Sequence, residues 1–193
     1  MRIILATKSP YRHQIFRELG FDFAAEPSGI NEQFEERPER PEELVKLLAK
    51  MKAKAVAKNK SDGIVIGFDS VVYFEGKILE KPASKEEEFE RLMKMSGRRF
   101  QFYTGIFMIN IEKCKNISDC VVTSAEMRNI TESEIRKYLN QDNNFNTYAL
   151  GFDPLGSYGS TFVSRIEGSY NNLLRGIPTE RIMEMLFEVG FSF

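Results

Sequence analysis

The sequence has 193 residues, of which 42% are hydrophobic, 12% aromatic and 28% charged. This balance is typical of a globular protein, and the length fits one compact unit or two lobes that share a core. Lys and Arg total 27 against 28 Asp and Glu, so a net charge near −1 excludes the basic surface of a general nucleic-acid binder.

Cysteine content and hydropathy exclude further classes of protein. Cys114 and Cys120 accompany a single histidine, so neither a structural zinc site nor a disulfide framework is supported, and we expect two free, buried thiols. The first apolar run is too short for a signal peptide, and no segment approaches the roughly 20 apolar residues of a membrane span. We therefore expect a cytoplasmic protein with no membrane partner.

The first third of the chain predicts a strand and two helices. Residues 2–7 form a short apolar run typical of a buried strand, and Ser9 and Pro10 then supply an N-cap and a proline at the first helical position. Gly20 is placed to end this helix. Residues 22–40 look irregular and acidic, and a helix with one apolar face follows from Pro41 to about Lys58.

The remainder of the chain alternates strand and helix patterns. Residues 63–69 predict a second buried strand that ends in an acid, followed by a hairpin at 71–79. Further predicted elements are a helix at 84–95, an antiparallel strand pair at 100–111 and 120–127, a helix opened by the capping box of Thr131 and Glu134, a strand at 161–166 and a helix at 178–189. The fold class is α/β, with a mixed twisted sheet flanked by helices.

The start of the first helix is a candidate phosphate site. A helix amino terminus offers unpaired N–H groups and partial positive charge, and Arg12 adds a guanidinium that suits phosphate oxygens. Two structural alternatives remain open: Ser9 can serve only as a helix cap, and Arg12 can be a solvated surface side chain.

Two acids and several lysines are candidates for the chemistry. Glu32 and Asp69 have the hard oxygen donors that hold Mg²⁺ beside substrate phosphates, and one of them can orient a water. Lys52 and Lys81 would neutralise charge that builds on the phosphates. The alternatives are a turn-forming Asp69 and solvated lysines, including Lys50.

These segments resemble, in order and spacing, the motifs of the Maf family of nucleoside triphosphate pyrophosphatases. The motifs are Leu5-Ala6-Thr7-Lys8-Ser9-Pro10-Tyr11-Arg12, Asn31-Glu32, Leu48-Ala49-Lys50-Met51-Lys52-Ala53, Gly67-Phe68-Asp69-Ser70-Val71-Val72, Leu79-Glu80-Lys81-Pro82, Ser96-Gly97, Tyr103-Thr104-Gly105, Gly168-Ser169-Tyr170-Asn171-Asn172 and Gly176-Ile177-Pro178. The resemblance is essentially full length, and the joint match is specific in a way that no single motif is.

The resemblance implies a single two-lobed domain over residues 1–193, related to the inosine triphosphate pyrophosphatases, with a central cleft and a frequent homodimer. It implies hydrolysis of dTTP, UTP or modified nucleotides such as 7-methyl-GTP to the monophosphate and pyrophosphate, which clears non-standard nucleotides, with a divalent cation (Mg²⁺, Mn²⁺ or Co²⁺). The implied catalytic residues are Glu32, Lys52, Asp69 and Lys81, and Glu32 and Asp69 are also the implied metal ligands. The implied substrate-binding residues are Ser9, Tyr11, Arg12 and Ser70.

The chain departs from the family pattern in three places. Tyr11 stands where the commonest branch has a second arginine, which resembles the 7-methyl-GTP branch and offers a ring that can stack on a base. The structural alternative is that Tyr11 packs on the surface of its own lobe. Residues 155–159 lack the glutamine or glutamate that the family usually has near its active site. Arg175 lengthens the turn before Gly176 by one residue, and we interpret it as a harmless insertion rather than an added phosphate donor.

Two other functions compete with this hypothesis. A non-catalytic nucleotide-binding regulator, for instance of cell division, needs only the phosphate site, and the presence of two acids with two lysines argues against it. A nucleotidyltransferase or methyltransferase would need a glycine-rich turn after the first strand, and residues 7–10 contain no glycine.

Overall fold

The computed structural model describes residues 1–192, which fold into alternating strands and helices. The elements are β1 (Ile3–Ala6), α1 (Pro10–Glu18), β2 (Phe23–Ala25), α2 (Pro41–Ala57), β3 (Ile64–Phe74), β4 (Lys77–Leu79), α3 (Lys85–Met95), β5 (Arg99–Asn110), β6 (Lys115–Met127), α4 (Glu132–Gln141), β7 (Val163–Glu167), α5 (Tyr170–Arg175) and α6 (Thr179–Glu188). The capping box of Thr131 and Glu134 opens α4, as predicted.

The strands form one mixed sheet in the order β2-β1-β3-β5-β6-β7, with β4 paired to β3. Strand β1 is parallel to β2 and β3, whereas β4 is antiparallel to β3 and β7 is antiparallel to β6. Only residues 111–114 join the neighbouring strands β5 and β6, which is too short for a parallel crossover, so this pair is antiparallel. The predicted α/β class with a mixed sheet and flanking helices is confirmed.

Four local predictions were wrong. The predicted strand end at Asp69 is the interior of β3, which leaves β1 after Gly67 and pairs with β4 from Val72 onward. Strand β2 and helix α5 were missed because both are short and lack a clear apolar period. Both thiols are free as predicted, but neither is fully buried: Cys114 lies exposed in the turn between β5 and β6, and Cys120 is half-buried.

The chain divides into two compact units, and the first comprises residues 1–70, 103–121 and those from Arg175 onward. Alternate residues of β1 enter different cores, since Ile3 and Leu5 pack with α1 and α6 while Ile4 and Ala6 pack with α2. The sheet of this unit is therefore covered by helices on both faces, which explains why its central strands are continuously apolar.

The second unit comprises residues 71–102 and 122–174. Its core joins Leu92 and Met95 of α3 to Ile135 and Tyr138 of α4, together with strand side chains such as Phe102. The prediction that both units act as a single two-lobed domain with a central cleft stays a prediction. None of the helices described is long and apolar enough to cross a membrane.

A buried acid in the second unit makes stability depend on pH. Glu88 is completely buried, and within residues 1–192 its carboxylate oxygens have no hydrogen-bond partner. The Arg91 Nε atom lies 3.9 Å from Glu88 Oε2, and a methyl group on Gly151 would lie 2.3 Å from the same oxygen. Burial raises the pKa of Glu88 to about 8, against the opposing charge of Arg91.

Glu88→Gln should flatten the pH dependence of stability. The unfolded chain ionises Glu88 near its ordinary pKa of 4.5, whereas the fold keeps it protonated until about pH 8. The contribution of Glu88 to the free energy of unfolding is therefore most favourable below pH 4.5. It falls as the pH rises toward 8, by up to about 1.4 kcal/mol per pH unit, because only the unfolded chain gains from ionisation. Urea unfolding of wild type and of Glu88→Gln across this range measures the difference, with the exposed Glu90→Gln as control. Equal slopes for wild type and Glu88→Gln would contradict the assignment.

Candidate active site

The site begins where β3 passes close beneath α2. A Cβ at Gly67 would lie 2.1 Å from the Ala49 carbonyl oxygen and 2.8 Å from the Ala53 nitrogen, so only glycine permits this approach. Side chains alternate along a strand, so Asp69 projects from the same face as Gly67, toward α2. Phe68 and Ser70 project from the opposite face.

Lys52 joins the two predicted acids. It lies one helical turn beyond Ala49 on the inward face of α2, and its Nζ atom donates to Asp69 Oδ1 at 2.6 Å. The same ammonium lies 3.1 Å from Glu32 Oε1. The side chains of Lys52 and Asp69 are only 13% and 10% exposed, whereas that of Glu32 is 45% exposed. The predicted convergence of Glu32, Lys52 and Asp69 is therefore observed in the first unit.

The charge of Asp69 is set by opposing effects. Burial raises the pKa of Asp69 above its ordinary value, and the ammonium of Lys52 and the guanidinium of Arg12 oppose the rise. The negative charge of Glu32 adds to it. A carboxylate whose pKa is displaced in this way, with a specific cationic partner, is typical of functional sites.

Arg12 contacts the opposite face of β3. Its Nη2 atom donates to Ser70 Oγ at 2.8 Å and its Nη1 atom to the Phe68 carbonyl oxygen at 3.3 Å. Ser70 Oγ lies 2.8 Å from the hydroxyl of the fully buried Thr104 on β5. Burial lowers the pKa of Arg12 to about 10, against the charges of Asp69 and Glu32. The guanidinium therefore stays positive near neutral pH and is fixed by strand groups, which rules out a freely solvated Arg12.

The side chain of Ser9 does not cap the start of α1. Ser9 occupies the N-cap position, but its side chain makes no capping hydrogen bond, so the capping alternative for its hydroxyl is wrong. Its backbone N–H donates instead to Thr7 Oγ1 at 3.1 Å, and His13 Nε2 lies 3.1 Å from the Thr7 carbonyl oxygen. Pro10 at the first helical position has no N–H to satisfy. A helix terminus of this kind attracts anions.

Glu32 is held by a turn in the irregular segment between β2 and α2. The Gln33 N–H donates to Asn31 Oδ1 at 3.0 Å, which forms an Asx turn around Glu32. This turn presents the exposed carboxylate toward Lys52 without a helix or strand to carry it.

Two of the candidate lysines do not join this cluster, and two threonines near the site were given no role by the sequence analysis. Lys50 is exposed. Lys81 belongs to the second unit and is exposed after β4, so its contact with a triphosphate stays a prediction. The sequence analysis gave no role to Thr104, although this residue lies in the Tyr103-Thr104-Gly105 motif. It also gave no role to Thr7, which lies in the first motif.

Two carboxylates converge here, and hard oxygen donors suit Mg²⁺. Within residues 1–192 no group of three or more His, Cys, Asp or Glu side chains could hold a metal ion. Such a pair fits a cation that takes its remaining ligands from water and substrate, as Mg²⁺ in phosphate-handling enzymes does.

Comparison with known proteins places these residues in a family context. The sequence model of the Maf-like protein family matches residues 2–189. A dTTP/UTP pyrophosphatase of Thermoanaerobacter sp. (strain X514) is 34% identical over 192 residues, which cover 96% of this chain and 95% of the relative. A nucleoside triphosphate pyrophosphatase of Synechococcus sp. (strain JA-2-3B'a(2-13)) is 34% identical over 191 residues, 98% of this chain and 95% of the relative. The structure of the Staphylococcus aureus Ham1 protein is 22% identical, with a TM-score of 0.45 over 66% of this chain and 72% of that one.

Gly67→Ala should destabilise the protein and disorganise the cluster. The added methyl group would overlap the backbone of α2, which cannot move away without shifting Lys52. Overpacking of this kind costs about 1–3 kcal/mol or more. Gly76→Ala is the control, because a Cβ there meets no atom within 4 Å and only the positive φ is penalised. Urea unfolding compares the two variants, and an equal or smaller loss for Gly67→Ala would contradict the close approach.

Proposed function

The chain belongs to the Maf-like protein family, and on that basis we propose that it hydrolyses a nucleoside triphosphate to the monophosphate and pyrophosphate. The observation that carries this proposal is the convergence of Glu32 and Asp69 on Lys52, with Arg12 fixed on the other face of the same strand. Phosphoryl chemistry depends mainly on positioning and electrostatics, so it requires acids that bind a metal ion and basic side chains that bind the phosphates.

Asp69 is the proposed proton acceptor. Attack at the α-phosphorus requires that a water lose a proton, and a base works best when its pKa approaches the operating pH. The upward displacement of the Asp69 pKa by burial favours this role. The water oxygen then forms the new bond to the α-phosphorus as the bond to the bridging oxygen of the pyrophosphate breaks.

The proposed metal ligands are Glu32 and Asp69. A bound Mg²⁺, Mn²⁺ or Co²⁺ would neutralise charge on the phosphate oxygens. Lys52, which contacts both acids, would then share the phosphate side of the site with the cation. Metal dependence is a proposal that the donor chemistry of these two acids supports.

The proposed phosphate contacts are Ser9 and Arg12, together with Ser70 beside them. The Ser9 hydroxyl, which makes no capping hydrogen bond, and the start of α1 would offer donors to phosphate oxygens, and the bidentate guanidinium of Arg12 would complement them. Lys52 and Lys81 would stabilise the charge of the departing pyrophosphate. A homodimer and a cytoplasmic location remain part of the proposal by family resemblance.

Asp69→Asn should reduce turnover by about 10²-fold or more, because the amide cannot accept the proton from water. The nearly equal size of the side chains keeps the fold comparable, and the exposed Asp62→Asn serves as the matched control. Pyrophosphate release with Mg²⁺ present is the measurement. Near-normal turnover of Asp69→Asn would remove this residue from the role, and tight nucleotide binding by wild type without release would favour the regulator of cell division.

The relatives named dTTP/UTP pyrophosphatases support dTTP or UTP as the substrate of this chain. Tyr11 supports 7-methyl-GTP instead, because it resembles the residue at this position in the family branch that acts on that nucleotide. Clearance of non-standard nucleotides is consistent with either substrate. We expect dTTP or UTP to release pyrophosphate fastest in a panel that also contains CTP, 7-methyl-GTP and ITP. A kcat/KM for 7-methyl-GTP at least ten times higher, about 1.4 kcal/mol of discrimination, would reverse this assignment.

A further inference from the structure

Within residues 1–192, the guanidinium of Arg175 makes no ion pair with an acid. Arg175 is the last residue of α5, it is half-buried, and its guanidinium carbon lies 5.6 Å from the centre of the Tyr11 ring. No hydrogen bond or ion pair to its guanidinium occurs within the described residues 1–192. A guanidinium carries five N–H donors in a planar fork, so Arg175 has its full donor capacity available.

The backbone next to Arg175 lies against the Arg12 and Ser70 pair. Gly176 has a φ of +63°, and a Cβ at this position would lie 2.9 Å from Ser70 Oγ and 3.3 Å from Arg12 Nη2. Only glycine fits this position, for reasons of both backbone conformation and space. Gly176, the residue that follows Arg175, therefore packs closely against Arg12 and Ser70, two of the proposed phosphate contacts.

The Tyr11 ring holds the Arg175 side chain at the start of α1. Tyr11 is the second residue of that helix, so the guanidinium above its ring lies near the positive end of the helix dipole. A cation gains little from that location unless an anion joins it. Arg12 is also bonded to a carbonyl and a hydroxyl rather than to a carboxylate, so two guanidiniums here lack a bonded acid.

We propose that Arg175 is a phosphate-binding residue that donates to the polyphosphate chain of the substrate, and that Tyr11 is the positioning residue that holds it. This inference rests on the proposed function, because it assigns a contact to the same nucleoside triphosphate. It replaces the interpretation of Arg175 as a harmless insertion. It also gives Tyr11 a role other than stacking on a base, since one face of the ring is covered by Arg175.

Inorganic tripolyphosphate is the probe that separates phosphate binding from base stacking, because it has no base. Arg175→Gln should weaken its binding by roughly ten-fold or more, as expected when a charge-assisted hydrogen bond is lost. The KM for the nucleoside triphosphate should rise by a similar factor while kcat changes less. Arg17→Gln, an exposed change on α1, is the matched control and should leave both unchanged.

Two further variants test the positioning role of the ring. Tyr11→Phe keeps the aromatic face and should bind tripolyphosphate as wild type does, whereas Tyr11→Leu should weaken binding as Arg175→Gln does. Arg175→Lys keeps the charge but loses the fork, so it should bind with intermediate affinity and replaces Arg175→Gln if that variant fails to fold. Thermal unfolding of each variant identifies a loss of affinity that comes only from a loss of structure.

The outcomes separate this inference from the proposed function. Unchanged tripolyphosphate affinity in a folded Arg175→Gln or Arg175→Lys would overturn the inference, even if wild type releases pyrophosphate normally. If wild type releases no pyrophosphate but Arg175→Gln still binds tripolyphosphate more weakly than wild type, the phosphate contact is supported and the hydrolase is overturned. Weakened affinity for the nucleoside triphosphate alone, with tripolyphosphate unaffected, would assign Arg175 to the base and contradict the proposal.

Discussion

The site depends on one ammonium group placed between two carboxylates. Asp69 lies in a nearly buried position of an apolar strand, where an unpaired charge would be strongly unfavourable. Lys52 supplies the compensating charge at hydrogen-bond distance and reaches Glu32 on the more exposed side. Removal of one partner from a buried pair usually costs more than the pair contributes, so all three groups are constrained together.

The alternation of side chains along β3 separates the functional groups into two sets. Asp69 faces α2 and its lysine, whereas Ser70 faces α1 and its arginine. One strand thus carries the acid that pairs with Lys52 on one face and anchors the guanidinium of Arg12 on the other. Glycine at position 67 permits the contact between Lys52 and Asp69, because it lets α2 approach closely enough for Lys52 to reach the strand.

Much of this arrangement could be predicted from the sequence. Asp69 in an apolar run and the Ser9 and Pro10 helix start are local signals, and the structure places them in a strand and at a helix start as predicted. The order of motifs allowed Glu32 to be included although an irregular segment carries it. The bounds of α2 and α6 were predicted from prolines at or just before their first turns together with apolar periodicity.

The remainder depends on contacts between residues far apart in sequence. The partnership of Ser70 with Thr104 joins two strands, and no local pattern encodes it. The continuity of β3 through Asp69 comes from a change of strand partners rather than from its own residues. The role proposed for Arg175 could not be predicted, because a single arginine in a turn has no period or cap to mark it, and its contact with Tyr11 forms only in the fold.

The most direct test of the central claim is the binding of Mn²⁺ to the protein with a non-hydrolysable dTTP analogue, followed by electron paramagnetic resonance of the free ion. If Glu32 and Asp69 hold the cation together, Glu32→Gln and Asp69→Asn should each weaken Mn²⁺ binding by roughly ten-fold or more, as expected when an ionised ligand is lost from a small ligand set. The exposed Asp62→Asn should bind as wild type does. Wild-type Mn²⁺ affinity in both site variants would contradict the account.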